Sequence, residues 1–586
     1  MIEYYSLKKS SFKAHLDKIQ NQLNWVGRIR FFIFCVTLFF VYFFLGDANY
    51  MMLSGGIGGS IFLFFINLYS NLKNKKQLLR ELVCINSIEL NCLEGDYLNL
   101  ETGEEFIETA HFYSYDVDLF GKGSFFQFIN RTSIKEGKLK LAKLLTSNNI
   151  ENIKTKQNTI KELVEKIDWR QQFSATANLI KVITPVELTL KWIEKNLVSL
   201  PKTALLISNL FSVITLVIFI GICFDFLVFA HLTLWIFVGL GVSGFYFKKV
   251  NIIYENTTKA RATFNQYYRL LELIEKENYT SKILKNKLEI LNTKTKPASE
   301  ILKIFSKIID ALDQRNNLFF GFIGNSLFLW DLRQASKVEK WISIHKENVR
   351  KWFEVVAFFD SQNSLANFTF NHSNFIFPEI RASKTIIEAT NLGHPLIENS
   401  KRIPNDYSID SKSIFIVTGS NMAGKSTFLR SVSLSVVMAN IGLPVCASKM
   451  KYRPVKLITS MRTSDSLTNN TSYFFSELKR LRLIVEALEK EHYFVVLDEI
   501  LKGTNSIDKA EGAKKFLEKL MISNATGLIA THDLSLCSLA DTYSKIHNCY
   551  FDAEIIKDEL YFDYKLKCGI CKNRNASFLL KKMKII

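Results

Sequence analysis

Between residues 413 and 438 the chain runs from an apolar stretch through a glycine-bearing loop into a helical pattern, and that order leaves little choice of local fold. Ser413 to Val417 reads as a buried strand and Phe428 to Met438 as a helix. Between them lies Thr418-Gly419-Ser420-Asn421-Met422-Ala423-Gly424-Lys425-Ser426-Thr427. The spacing Gly419-x4-Gly424-Lys425-Ser426 lets successive backbone N–H groups turn inward around phosphates at a helix N-terminus. Lys425 then reaches the β- and γ-phosphates, and the Ser426 hydroxyl ligates Mg²⁺. The expected cofactors are ATP and Mg²⁺. The candidate binding set is Gly419, Ser420, Asn421, Met422, Ala423, Gly424, Lys425, Ser426 and Thr427. A chance glycine turn would not bring a strand before it and a helix after it.

Two later segments supply the partners such a loop needs. Tyr493-Phe494-Val495-Val496-Leu497 is an apolar strand ending in Asp498-Glu499. In P-loop ATPases the first acid of such a pair holds Mg²⁺ and the second polarises the attacking water. Asp498 takes the first role, as a metal ligand beside Ser426, and Glu499 the second. A merely solvated acidic pair would not normally follow five apolar or aromatic residues. Ile529-Ala530-Thr531-His532-Asp533 is another short strand, with His532 at the carboxyl end where parallel sheets collect ligands. His532 is the candidate sensor of the γ-phosphate; the bland alternative is a structural histidine. Lys425, Glu499 and His532 are thus candidate catalytic residues.

Taken together, the region from about Ile386 to Tyr564 resembles the ATPase domain of the MutS family of DNA mismatch-repair proteins. His394-Pro395-Leu396, followed by Ile403-Pro404-Asn405-Asp406, is similar to the family's segment near the adenine. The loop is close to the family's own, with Ser420 where proline is usual. Ser472-Tyr473-Phe474-Phe475-Ser476-Glu477-Leu478 resembles the signature segment, which would make Ser472 a fourth catalytic residue, contacting the γ-phosphate of the opposite subunit. Gly503-Thr504-Asn505-Ser506 resembles the loop that crosses the dimer interface. The resemblance therefore implies composite sites, a homodimer and DNA as a partner. Upstream, Asp118-Leu119-Phe120-Gly121, Ser124 to Thr132, Gly137, Leu141 and Gln157 to Arg170 resemble the start of the family's core domain. Asp360 to Ala366 resembles the end of its lever helices. About three quarters of the chain is covered, densely in the ATPase part and sparsely in the core.

Composition points to something the soluble family lacks. The chain is 48% hydrophobic with 48 phenylalanines, yet carries 75 basic against 56 acidic residues. Phe31 to Leu45, Tyr50 to Tyr69, Thr203 to Phe224 and Phe226 to Phe247 contain no charge. Crossing the hydrocarbon core takes about 20 apolar residues, which the last three satisfy and which Ile29 and Trp25 extend the first to reach. A signal peptide is disfavoured for the first pair, since a second apolar stretch follows at once and no small-residue cleavage site is present. A buried core hairpin is the alternative for the second. Lys8, Lys9, Lys13, Lys18, Arg28 and Arg30 precede the first segment; Lys73, Lys75, Lys76 and Arg80 follow the second. Lys202 precedes the third, and Lys248 and Lys249 follow the fourth. The two connections hold Asp47 and Asp225 and no basic residue. The positive-inside rule then places both hairpins' ends, the N-terminus and the ATPase region in the cytoplasm of a cell-membrane protein.

The expected fold class is an α/β P-loop (ABC-type, MutS-like) ATPase domain at the C-terminus. An all-α core and lever region with two transmembrane helical hairpins precedes it. The expected divisions are a basic segment at 1–28, hairpin 1 at 29–70, core-like helices at 71–202 and hairpin 2 at 203–247. Core and lever helices at 248–370, amphipathic by pattern, and the ATPase domain at 371–586 follow. The first hundred residues leave no room for the family's mismatch-wedging domain. With the sequence ending at Ile586, the family's C-terminal dimerisation extension is expected to be absent or minimal. Hairpin 2 is expected to replace or displace the DNA-gripping clamp. The nine cysteines form no disulfide framework. His547-x-Cys549 with Cys568-x2-Cys571 could supply four zinc ligands, but the first pair's spacing is unusual for zinc and Tyr564-Lys565-Leu566 resembles a C-terminal strand of the family's ATPase domain, so no zinc site is expected there.

The net charge of +19 admits two readings. Basic flanks of membrane helices attract anionic lipid, and a stripe such as Lys135, Lys138, Lys140 and Lys143 contacts phosphate or is simply solvated. Two functions follow: a membrane-anchored MutS-like ATPase that binds DNA, branched or damaged structures included, or a membrane ATPase that acts on a protein or membrane partner. Transport is disfavoured, because the apolar segments carry no acidic or basic residue.

Overall fold

The computed structural model describes residues 1–195, 200–293, 296–420, 422–462, 473–501, 505–556 and 559–571. Through residue 371 their regular elements are helical, and from 379 onward strands and helices mix. Helices α1 (Ile2–Phe43) and α2 (Ala48–Leu93) lie side by side, and Asp47 between them caps α2 by accepting from the Asn49 and Tyr50 N–H groups. The two backbones come close at Gly58, where a Cβ would overlap Thr37. Their apolar middles are exposed, but their far ends are pinned to the helical body. Tyr5 is fully buried and donates to Asn371 Oδ1 at 2.7 Å; Asn86 and Gln171 exchange two amide hydrogen bonds of 3.1 Å.

Five shorter helices follow: α3 (Phe125–Ile129), α4 (Lys135–Thr146), α5 (Ile153–Glu165), α6 (Ile167–Asn178) and α7 (Val186–Lys195). They lead into a second apolar pair, α8 (Ala204–Cys223) and α9 (Phe229–Glu275). The helical half closes with α10 (Lys282–Leu291), α11 (Ala298–Asp313), α12 (Leu318–Phe328) and α13 (Trp330–Asn371). Four of these, α1, α2, α8 and α9, are long and apolar enough to cross a membrane. The 42 residues of α1 and 47 of α9 extend roughly 63 and 70 Å at 1.5 Å per residue. That is about twice the ~30 Å hydrocarbon core. The charge changes at Arg30 and Lys248 therefore fall inside continuous helices, whose backbone ladder does not depend on what the side chains face.

Between 248 and 368, where amphipathic helices are expected throughout, α12 is apolar all round. At 11 residues it falls short of a spanning length, which is why periodicity and length pass it over. It packs against α8 and α9. Gly239 permits the approach, since a Cβ there would overlap the Ser326 carbonyl oxygen. Thr215 Oγ1 donates to Leu327 O at 2.6 Å and accepts from Trp235 Nε1 at 2.9 Å.

In the C-terminal half, β1 (Glu379–Ile380), β2 (Thr385–Leu392), β3 (Asn405–Asp410) and β5 (Lys449–Tyr452) form a sheet in the order β1-β5-β2-β3. A second sheet is built from β4 (Ile414–Gly419), β6 (Lys456–Ser460), β7 (Tyr493–Asp498), β8 (Thr526–Ala530), β9 (Ile546–Phe551) and β12 (Leu566–Cys568). Its order is β12-β9-β4-β8-β7-β6, parallel except for β12. Strands β10 (Glu554–Ile556) and β11 (Glu559–Tyr561) pair antiparallel. Helices α14 (Lys425–Ile441), α15 (Tyr473–Leu488), α16 (Ser506–Ile522) and the single turn α17 (Leu539–Thr542) connect the strands. β8 is buried along its whole length, as a parallel strand covered on both faces must be.

The helical half is locked at α4. Asp360 of α13 is fully buried and accepts N–H bonds from Ser133 and Ile134 at 3.0 and 3.1 Å, at the start of α4. Gly137 sits against that carboxylate so closely that a Cβ would overlap it. Gly137→Ala should therefore lower the thermal unfolding temperature of the detergent-solubilised protein. Gly27→Ala, with nothing within 4 Å of its Cβ, should leave it unchanged or slightly higher, because alanine favours an exposed helix by ~1 kcal/mol. Equal midpoints for the two variants would contradict this packing.

Candidate nucleotide site

The site forms where β4, β7 and β8 end side by side. β4 stops at Gly419, which has φ +146°, and a Cβ there would lie 2.6 Å from the Phe551 carbonyl oxygen. The loop then turns through Met422 (φ +67°) and Gly424 (φ +106°) into α14. Met422 points out to solvent, while Ala423 is fully buried beneath the loop. Asn421 lies outside the described residues, as do Ser472, Gly503 and Thr504. Lys425 opens α14 and is buried. Its Nζ donates to the Gly419 and Ser420 carbonyls, both at 2.9 Å, and lies 3.3 Å from His532 Nε2. Burial lowers its pKa, and the nearby Asp498 and Glu499 carboxylates pull it back up.

Ser426 Oγ donates to Asp498 Oδ2 at 2.6 Å, joining the first turn of α14 to the end of β7. Glu499 has φ +53°, and its N–H is held by Ala530 O at 2.9 Å, so its side chain turns toward β8. There Oε1 meets His532 Nε2 at 2.9 Å. His532 Nε2 thus faces both groups, where a ring nitrogen without a proton accepts from the Lys425 ammonium and one carrying a proton donates to the Glu499 carboxylate. Lys425, His532 and Glu499 form one connected set beside the Ser426–Asp498 pair, and Thr427 follows in the same first turn of α14.

Beside the loop a cavity of about 260 Å³ is lined by His394, Ile403, Asn405, Gly424, Thr427 and Tyr564. Asn405 fixes its far wall, donating to Tyr564 O at 3.0 Å and accepting from Leu566 N at 2.8 Å. Tyr564 was legible only as part of a strand. It precedes β12 and adopts φ +51°, which brings its ring over Gly424. Only the asparagine contact across 159 residues could have signalled that. Burial depresses His394 to a pKa of about 4, with Arg430 adding to the effect.

The other sequence candidates are placed as follows. Glu477 of α15 is buried, and its Oε1 accepts from Leu501 N at 2.6 Å, just past β7. Of the four lysines on α4, Lys138 is engaged by Glu101 and Glu105 at 3.1 and 2.8 Å. Cys549 faces Cys568 across β9 and β12, whereas the His547 ring packs on Phe415 at 5.1 Å. Among the described residues no three His, Cys, Asp or Glu side chains are disposed to hold a metal.

The family model for MutS domain V matches residues 415–583, which takes in every strand and loop just described from β4 onward. Residues 415–583 are a MutS domain V. MutS protein homolog 4 of Mus musculus is 29% identical over 214 residues, covering 35% of this chain and 22% of that protein. The DNA mismatch repair protein MutS of Staphylococcus saprophyticus is 28% identical over 269 residues, 45% of this chain and 30% of the relative. The protein of that name from Fervidobacterium nodosum is 28% identical over 314 residues, 52% and 34% respectively. The matches thus span about a fifth to a third of these MutS relatives' own length.

Histidine burial gives a pH signature to this MutS-family domain. His394 stays neutral in the fold down to about pH 4, while an unfolded chain takes up the proton near pH 6.5. Its contribution to stability is therefore complete above pH 6.5 and is lost as pH falls from 6.5 toward 4. His394→Asn should flatten the fall of the unfolding midpoint across that window relative to wild type; parallel curves would exclude this residue as a source of acid sensitivity.

Proposed function

We propose that this protein is a membrane-anchored, MutS-like ATPase. The observation that carries the reading is the convergence of two hydrogen-bonded sets, Lys425–His532–Glu499 and Ser426–Asp498, at the carboxyl ends of parallel strands. The donor set suits a magnesium nucleotide: an ammonium, a hydroxyl and a carboxylate are hard partners for phosphate and Mg²⁺. Two left-handed glycines shape the cradle, and the Ser420 hydroxyl oxygen is buried beside it with no partner. When bound, MgATP supplies the phosphoanhydride and a cation that spreads its charge. Lys425 would swing from its own loop's carbonyls to phosphate oxygens, while Ser426 and Asp498 hold the metal. Glu499 would accept the proton of the attacking water, oriented by His532. The loop from Gly419 to Thr427, Asn421 included, would wrap the phosphates, and the cavity at His394 and Tyr564 would take the base. Ser472 of a second copy would complete the site, which makes hydrolysis dependent on a homodimer.

The two apolar helix pairs would cross the membrane as hairpins at 29–70 and 203–247. The segments 1–28, 71–202, 248–370 and 371–586 would lie in the cytoplasm. DNA is the proposed partner, on the strength of the relatives' names and the family. The alternative, a membrane or protein partner, draws on α13, a continuous helix from the apolar α12 to the junction with the sheets.

Glu499→Gln should keep ATP binding and lower turnover at least ~100-fold, the usual worth of a positioned base. Lys425→Ala should weaken ATP binding roughly 10- to 100-fold, measured with a fluorescent analogue. Wild-type turnover in the Glu499 variant would remove the base assignment. For the partner, ATPase rates of the purified protein should rise with one of duplex, mismatched or branched DNA, and the rise should shrink at higher salt. Turnover indifferent to every DNA would give the engine to a membrane or protein partner.

A further inference from the structure

A cavity of about 370 Å³ lies between α9, α12 and the start of α13, far more than the ~10–15 Å³ that one water occupies. Arg315 and Asp331 stand in its wall, joined Nε to Oδ2 at 3.2 Å, with each side chain 11% exposed. That contact satisfies one side of each group. Arg315 Nη1 and Asp331 Oδ1 are both buried without a hydrogen-bond partner. A cationic donor and an anionic acceptor therefore wait side by side, and leaving both unpaired is costly. The guanidinium is also fixed in place, 4.8 Å from the Tyr254 ring centroid and 5.6 Å from that of Phe247.

The depth of the cavity is set by α9. Phe247 is the last residue of its uncharged run, immediately before Lys248 and Lys249. The rest of the lining is apolar where it faces outward: Leu318 is 83% exposed and Phe322 56%. A polar pair with unmet donor and acceptor thus opens toward the level where a bilayer's headgroups meet its chains.

We propose that this cavity binds the headgroup of a phosphatidylethanolamine-type lipid. A phosphate oxygen accepts from Arg315 Nη1, the primary ammonium donates to Asp331 Oδ1, and the acyl chains lie along Leu318 and Phe322. Headgroup chemistry makes the choice. A purely anionic headgroup leaves Asp331 Oδ1 unpaired and adds a second negative charge beside it. A quaternary ammonium has no N–H to donate. The assignment rests on α8 and α9 lying in a bilayer, as proposed above. Since Asp331 belongs to the first turn of α13, an occupied cavity would brace the base of the helix that leads to the sheets.

The test starts with carbonate extraction of membranes holding the full-length protein. Delipidated protein is then mixed with phosphatidylethanolamine, phosphatidylcholine and phosphatidylglycerol of matched chains, and retained lipid is counted by native mass spectrometry. Phosphatidylethanolamine should be retained at least tenfold over the other two. Arg315→Gln should bring it down to the phosphatidylcholine level, and Asp331→Asn should erase its advantage over phosphatidylglycerol. Equal retention of the three lipids by the wild-type protein, which does not depend on any variant folding, overturns the proposal while leaving the membrane reading intact. Release by carbonate overturns both. Soluble glycerophosphoethanolamine that binds as tightly as the lipid would reassign the cavity to a free phospho-amine and overturn the lipid assignment.

Discussion

The carboxylate of Asp360 is the point on which the helical half turns. It lies near the end of α13, caps the start of α4 through two backbone N–H groups, and allows no Cβ at Gly137. Burial pushes its pKa up to about 7, and the two N–H bonds pull against that. The same end of α13 ties down four more elements. Ser364 Oγ bridges Ile129 O and Arg131 N at 2.8 and 2.9 Å, and Asn367 Oδ1 accepts from Arg170 at 3.3 Å. Asn371 holds Tyr5 of α1 and Glu89 of α2, each at 2.7 Å. Buried polar groups of this kind specify one arrangement, because any slip of the helix leaves several of them unpaired at once.

That arrangement explains which parts of the fold were legible. Strands β4 and β7 announce themselves as apolar runs because parallel strands are buried on both faces, and the loop after β4 reads from its glycine spacing. The run Asp360-Ser361-Gln362-Asn363-Ser364 reads as surface on any hydropathy scale, yet all five residues are buried. Asp360 and Ser364 are bonded by partners more than 200 residues away, which a local window cannot contain, while Ser361 donates to the nearby Phe358 carbonyl. Helix α12 escapes for a different reason: its apolar surface is complete but its length matches neither a spanning segment nor an amphipathic face. In the candidate site, the residues carried on strand ends and on the loop were readable. Tyr564 was not, because its place is fixed by Asn405 from the other sheet.

A second set of long-range bonds joins the helical half to the sheet that carries the site. Asp116 is buried; its Oδ2 accepts from Thr459 Oγ1 at 2.6 Å and its Oδ1 from Arg462 N at 2.8 Å, at the end of β6. Arg462 reaches back to Asp118 with bonds of 2.5 and 2.9 Å, and Arg430 of α14 approaches the same carboxylate at 3.6 Å. Arg480 of α15 donates to the carbonyls of Thr459, His111 and Phe112 at 2.7 to 2.9 Å. The loop at 110–118 therefore grips α14, β6 and α15 together.

The Asp360 network ties the helical half together, and the Asp116 network ties it to the sheet that carries the site. Helix α13 begins next to α12 and the Arg315–Asp331 pair; near its other end it holds α1, α2, α4 and α6 in register. From there the loop at 110–118 passes the constraint to the helix that opens with Lys425 and to the helix that supplies Glu477. Displacing α13 is costly at Asp360, as displacing β6 is at Asp116, because both are buried acceptors and each has a buried partner, Ile134 and Thr459. A displacement started at either the apolar pairs or the nucleotide loop must therefore move the intervening elements as a block. That coupling follows from hydrogen-bond accounting alone, whatever the site binds.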